Sequence, residues 1–136
     1  MKYDDNTRGQ KSRVFSTPKL PAPKGPYSQA AQAGDFLFIS GMIGINPETG
    51  EASKDFCDQT QQVLDNLRVL AEQAGGSLAD IVKTTVFLSD MNDFAAMNEI
   101  YSRYFPTNPP ARSTVAATPP GGFLIEIEAI AFLPEG

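Results

Sequence analysis

Apolar and polar residues alternate along this chain with periods that change from segment to segment. Residues 35–40 carry Phe36, Leu37, Phe38 and Ile39 in succession, the pattern of a short strand buried on both faces. Asn46-Pro47-Glu48-Thr49-Gly50 then supplies turn formers for a loop. Over residues 55–74 the apolar positions Phe56, Val63, Leu64, Leu67, Leu70, Ala71 and Ala74 fall at helical spacing. Gly75-Gly76 predicts a left-handed stop. Ser77-Leu78-Ala79-Asp80 has the form of a capping box with Asp in the place of Glu. The β-branched run 81–88 predicts a second strand. Residues 93–105 predict a second helix with Phe94, Met97, Ile100, Tyr101, Tyr104 and Phe105 on its inner stripe, ended by Pro106, Pro109 and Pro110.

The last strand, 123–133, is the most informative. One face carries Phe123, Ile125, Ile127, Ala129, Ala131 and Leu133; the other carries Leu124, Glu126, Glu128, Ile130 and Phe132. The order strand, helix, strand, helix, strand predicts an α+β fold, a mixed sheet with two helices packed on one face. That leaves Leu124, Ile130 and Phe132 on an uncovered face, which predicts assembly with further copies. Residues 1–13 are almost devoid of apolar side chains and read as a mobile arm, with 14–136 as a single domain. Residues 16–26, with four prolines, read as an extended irregular segment.

Composition then removes whole classes of chemistry. The 136 residues include no histidine, so Ser-His-Asp and Cys-His catalysis, histidine general bases and His-ligated metals are excluded. The lone Cys57 can form no internal disulfide and no structural thiolate site, and it reads as a partly buried helix residue. With a polar N-terminus and no apolar run long enough for a membrane span, the expected setting is the cytoplasm, away from membranes. The formal charge is −5. The first thirteen residues hold Lys2, Arg8, Lys11 and Arg13 against Asp4 and Asp5, so the negative excess lies in the remainder. Seven scattered basic side chains there make no basic stripe for a nucleic acid.

The remaining candidates are few. Arg112, in Pro109-Pro110-Ala111-Arg112-Ser113-Thr114-Val115, stands at a loop-to-strand junction stiffened by prolines, and its planar fork matches a carboxylate. Glu126 and Glu128 share a strand face with Leu124 and Ile130, so one of the two is expected to be partly buried with a raised pKa suited to acid/base work. The residues alone do not choose between them. Tyr27 follows Gly25-Pro26, and Ser40-Gly41 ends an apolar strand with a residue that admits close approach to the backbone. Asn98 lies on the second predicted helix.

Taken together, Gly25-Pro26-Tyr27-Ser28-Gln29-Ala30, Phe38-Ile39-Ser40-Gly41, Gln59-Thr60 with Asn66-Leu67, and Val82 through Leu88 are similar to a known family. Asp93-Phe94 with Asn98 and Tyr101, Pro110-Ala111-Arg112-Ser113, and Ile125-Glu126-Ile127-Glu128-Ala129-Ile130-Ala131 continue the match in order. Over about residues 14–133 the chain resembles the Rid family of reactive-intermediate imine deaminases, also called endoribonuclease L-PSP or translation inhibitors.

The resemblance implies a chorismate-mutase-like fold assembled as a homotrimer, with a small 2-imino or 2-oxo acid bound in clefts between subunits. It implies that Arg112 holds the substrate carboxylate and that Glu126 positions or activates the attacking water. Tyr27 and Asn98 would shape the cleft, and Ser40, Gly41 and Thr114 would line it. No metal or organic cofactor is required, since an imine is already labile to water. Two features depart from the family's pattern: Met42 replaces the usual Gln, and residues 116–122 are one residue shorter than the common loop and lack its Leu-Pro pair. Both bear on cleft shape and substrate preference. The alternatives are a ribonuclease or translation inhibitor, disfavoured by the acidic body, and a non-enzymatic carboxylate-binding or chaperone-like trimer.

Overall fold

The computed structural model describes residues 13–134. Six strands form one sheet: β1 (Arg13–Phe15), β2 (Ala30–Ala33), β3 (Phe36–Ile43), β4 (Ile81–Leu88), β5 (Ala111–Ala116) and β6 (Ile125–Phe132). Their spatial order is β1-β2-β3-β6-β4-β5. Neighbours are antiparallel except β4 and β5, which are parallel. The helices α1 (Phe56–Gln73) and α2 (Phe94–Tyr104) fill the two long connections. This is the α+β architecture expected from the sequence, with a mixed sheet.

Local chemistry fixes the helix ends where the sequence places them. The Asp55 carboxylate accepts from the Asp58 backbone N–H and starts α1. At the other end Gly75 adopts φ 97°, and the Gly75 and Gly76 N–H groups donate to the Glu72 and Ala71 carbonyls. Both bonds of the Ser77–Asp80 capping box are formed. The core lies between the helices and one sheet face, where Leu37, Val63, Leu64, Leu67, Val86, Met97, Ile125 and Ile127 are fully buried.

The other sheet face is open, and several expectations change there. β3 is not buried on both faces: Leu37 and Ile39 point into the core, but Phe36 and Phe38 are 42% and 46% exposed. Strict alternation of direction along a strand is the cause, because the four apolar residues in succession cannot all face one core. Register aligns Val14, Ala31, Phe38 and Ile130 in one row across that face, and the Phe36 and Phe132 rings meet at 5.3 Å.

Three further expectations are corrected. Cys57 is exposed rather than partly buried, because it sits on the outer side of α1. Phe94 is exposed rather than part of the inner stripe, for a reason given below. Arg13, assigned to the arm, instead opens β1 and pairs with Gln32; the rest of the expected arm lies outside the described residues. Neither β1 nor β2 follows from the pattern of apolar positions. Among the described residues no helix is long and apolar enough to cross a membrane.

Candidate active site

The residues singled out by sequence fall into two groups. Arg112 sits on β5, opposite Thr84 of β4, on the face that the helices cover. Its guanidinium carbon lies 4.8 Å from the Tyr101 ring centroid and 5.7 Å from that of Phe94, and Nη1 reaches the Met97 sulfur at 3.8 Å. Stacking on aromatic faces suits a planar, weakly hydrated cation. Phe94 stays exposed because it is the first residue of α2, ahead of the buried stripe of Met97, Ile100 and Tyr101, and its ring flanks the Arg112 side chain instead.

Tyr101 is itself anchored. Its hydroxyl and the Thr84 hydroxyl share a buried hydrogen bond of 2.7 Å. Burial raises the Tyr101 pKa, opposed by Thr84 and by the nearby Arg112 charge. Among the described residues Arg112 has no carboxylate partner, so its fork is held by rings and sulfur and left available for an anion. Asn98, half-buried, follows Phe94 by four residues and precedes Tyr101 by three, which places it on the same side of α2. Thr114 lies two residues beyond Arg112 on the same side of β5, and its buried Oγ1 has no hydrogen-bond partner among the described residues.

The second group gathers at the centre of the sheet. Between Ile39 and Met42 the pairing of β3 with β6 shifts: Ile39 faces Ala129 and Met42 faces Ile127. Ser40 and Gly41 therefore stand together opposite Glu128, a bulge of one extra residue. Gly41 lies flat against the Glu126 side chain, and a Cβ there would run into the carboxylate. Ser40 donates through Oγ to the Ser28 carbonyl at 2.6 Å, and its N–H donates to the Gln29 carbonyl at 3.0 Å. These bonds tie the Gly25-Pro26-Tyr27 segment to the bulge and leave the Tyr27 ring exposed. Of the two glutamates, Glu126 is the half-buried one and Glu128 is exposed. Burial, seconded by the Glu128 charge, raises the Glu126 pKa.

Within one chain the two groups do not converge. Thr84 pairs with Arg112 and with Ala129, both on the helix side, whereas Glu126 pairs with Phe87 on the open side. Arg112, Thr114 and Asn98 thus belong to one face and one edge, and Glu126 to the other face. A cavity of about 520 Å³ adjoins the second group, lined by Tyr27, Ser40 and Gly41 but by none of Arg112, Asn98, Thr114 or Glu126. The spacing of Phe94 and Tyr101, seven apart on one helix, is the sequence signal for the guanidinium cradle, although by pattern alone it predicts only an inner stripe.

Comparisons with known proteins agree with this architecture. The family model described as endoribonuclease L-PSP matches residues 17–133. A RutC family protein of Pyrococcus horikoshii is 55% identical over 121 residues, covering 88% of this chain and 96% of that protein. Reactive Intermediate Deaminase A, chloroplastic, of Arabidopsis thaliana is 49% identical over 126 residues, covering 90% of this chain and 67% of that one. Among solved structures, E. coli TdcF with bound serine superposes with a TM-score of 0.83 at 40% identity, covering 88% of this chain and 97% of that chain. The fold and the paired motifs define a Rid-type α+β protein. The chain belongs to the Rid family, described also as endoribonuclease L-PSP.

Proposed function

We propose that the protein hydrolyses reactive 2-imino and 2-enamino acids, such as 2-iminobutanoate and 2-aminoacrylate, to 2-oxo acids and ammonia. The working unit is a homotrimer in which Arg112, Asn98 and Thr114 of one subunit face Tyr27, Ser40, Gly41 and Glu126 of the next. The observation that supports this most is the Arg112 guanidinium, stacked on Tyr101 and free of any acidic partner among the described residues. A fork held this way accepts a carboxylate bidentately, each charge-assisted hydrogen bond contributing about 1.5–3 kcal/mol. The relatives named above add a deaminase and a protein with a bound amino acid. The uncovered apolar face at Phe36, Phe38 and Phe132 supports assembly.

The chemistry follows from these groups. The Arg112 fork fixes the carboxylate and so the position of the adjacent imine carbon. A water held by Glu126 adds its oxygen to that carbon while the carboxylate takes a water proton. The imine nitrogen takes that proton from Glu126 to give the tetrahedral aminol. Glu126 then removes the hydroxyl proton and delivers it to the nitrogen as the carbon–nitrogen bond breaks, so that ammonia leaves and the carbonyl remains. The raised pKa of Glu126 makes it a better base than an ordinary carboxylate. Because imines hydrolyse unaided, positioning supplies a sufficient share of the acceleration.

Mixing inactive variants tests both the reaction and the shared cleft. Arg112→Ala and Glu126→Gln are each expected to lose at least about 100-fold in consuming semicarbazide-trappable imine from a threonine dehydratase reaction. Unfolded together and refolded in equal amounts, they should regain about a quarter of the wild-type clefts, since each cleft draws its Arg and its Glu from different chains. No recovery, under conditions where wild type refolds, would overturn the shared cleft. Wild-type protein that leaves imine decay unchanged would overturn the deaminase.

A further inference from the structure

We propose that the cavity beside Ser40 and Gly41 is a side-chain pocket that favours 2-imino acids with branched or long apolar side chains. The inference rests on the deaminase reading for the imino-acid end of the substrate, and it names which members of that class this chain prefers. At about 520 Å³ the cavity matches sites for whole small molecules, roughly 300–1,000 Å³. A methyl or ethyl group would leave most of it unfilled. Its walls are Leu20, Pro21, Met42, Ile45, Leu70 and Phe123.

The polar side chains along the walls are already engaged with the protein. The Gln29 Oε1 accepts from the Thr17 N–H at 2.7 Å, and Nε2 donates to the Thr17 and Pro21 carbonyls. Asn66 donates through Nδ2 to the Ile43 and Ile45 carbonyls, and its Oδ1 accepts from Gln62. The Ser40 hydroxyl is committed to the Ser28 carbonyl. A polar substrate side chain entering here would lose water and gain no partner, while an apolar one would exchange water for carbon. Lys24 and Tyr27, both exposed, are at the rim.

Position joins the pocket to the reaction. Gly41 borders both the Glu126 carboxylate and the cavity, and Met42 is the next residue along β3. Having no side chain, Gly41 leaves the way open from a substrate at the Glu126 carboxylate into the cavity, whose apolar wall on the helix side includes Met42 and Leu70. Met42 is flexible and apolar, so it moulds to branched shapes.

Titration calorimetry on the full chain, with 2-oxo acids as stable stand-ins for the imines, decides the matter. 4-Methyl-2-oxopentanoate should bind at least about tenfold tighter than pyruvate, and also than 2-oxosuccinamate, its near-isostere with an amide. Met42→Gln should shrink the second ratio severalfold. Equal affinities, tightest binding of 2-oxoglutarate through Lys24, or no binding of any of the four would overturn the pocket. The matching kinetic experiment compares imines generated from leucine and from alanine by an amino-acid oxidase. Preference for the leucine imine supports the pocket as a specificity element. Discrimination in binding with no acceleration of either imine would remove the deaminase reading and leave the pocket standing as a carboxylate-ligand site.

Discussion

The Arg112 group and the Glu126 group are built by opposite means. Arg112 is a cation made comfortable by rings: Tyr101 beneath it, Phe94 beside it, and no counter-charge among the described residues. Glu126 is an anion made uncomfortable by burial and by a second carboxylate two residues on. The first group stands at the sheet edge, on β5 and α2; the second stands mid-sheet, on a bulge. The contrast teaches that an anion-binding group needs its charge secured, whereas a base needs its charged form slightly disfavoured.

Gly41→Ala attacks the acidic half most directly. Its Cβ would displace the Glu126 carboxylate, and imine hydrolysis is expected to fall about 100-fold, as for an ångström-scale misplacement. Steady-state kinetics beside a thermal melt separate this from misfolding, and a variant with full activity would show that Glu126 is not held by Gly41.

The basic half is sharpened by two substitutions at one position. Tyr101→Leu removes the ring under Arg112 and should weaken 2-oxo acid binding about tenfold. Tyr101→Phe keeps the ring but strands the buried Thr84 hydroxyl, so binding should hold while stability drops about 1–3 kcal/mol in urea unfolding. Equal loss of binding in both would mean that the hydroxyl, not the ring, positions the guanidinium.

The smallest effect concerns pH. Because the Glu126 pKa is raised in the folded chain, the native state keeps a proton that the unfolded state has released, and stability declines as pH climbs through that interval. Glu126→Gln removes the decline. The variant should be more stable than wild type at about pH 7 by well under about 1 kcal/mol, since the group is partly open to screening solvent. At about pH 4 the advantage should vanish. Urea midpoints at the two pH values check the sign, and a larger advantage at the lower pH would contradict the burial of Glu126.

Much of this was legible from residues alone. The helical spacing and Gly75 stop of α1, the Ser77–Asp80 box and the two faces of β6 are local signals, and they appear where the sequence places them. β1 and β2 were not legible. Arg-Val-Phe is too short to show a period, and Ala30-Ala31-Gln32-Ala33 has little strand propensity; they become strands because β3 offers β2 a partner and β2 in turn offers one to β1. The candidate site was legible as a set of residues but not as an arrangement. That Arg112 and Glu126 occupy opposite faces depends on β5 pairing parallel to β4 and on the register of β4 with β6, long-range facts that no window of sequence contains.

Opposite faces have a consequence for how such a protein behaves on dilution. A folded single chain keeps its own Arg112 and Glu126 apart on two sides of one sheet, however stable it is. If clefts form only where chains meet, turnover per chain falls away below the concentration at which subunits separate, with no loss of secondary structure. Catalytic competence would then act as a gauge of local protein abundance rather than of folding.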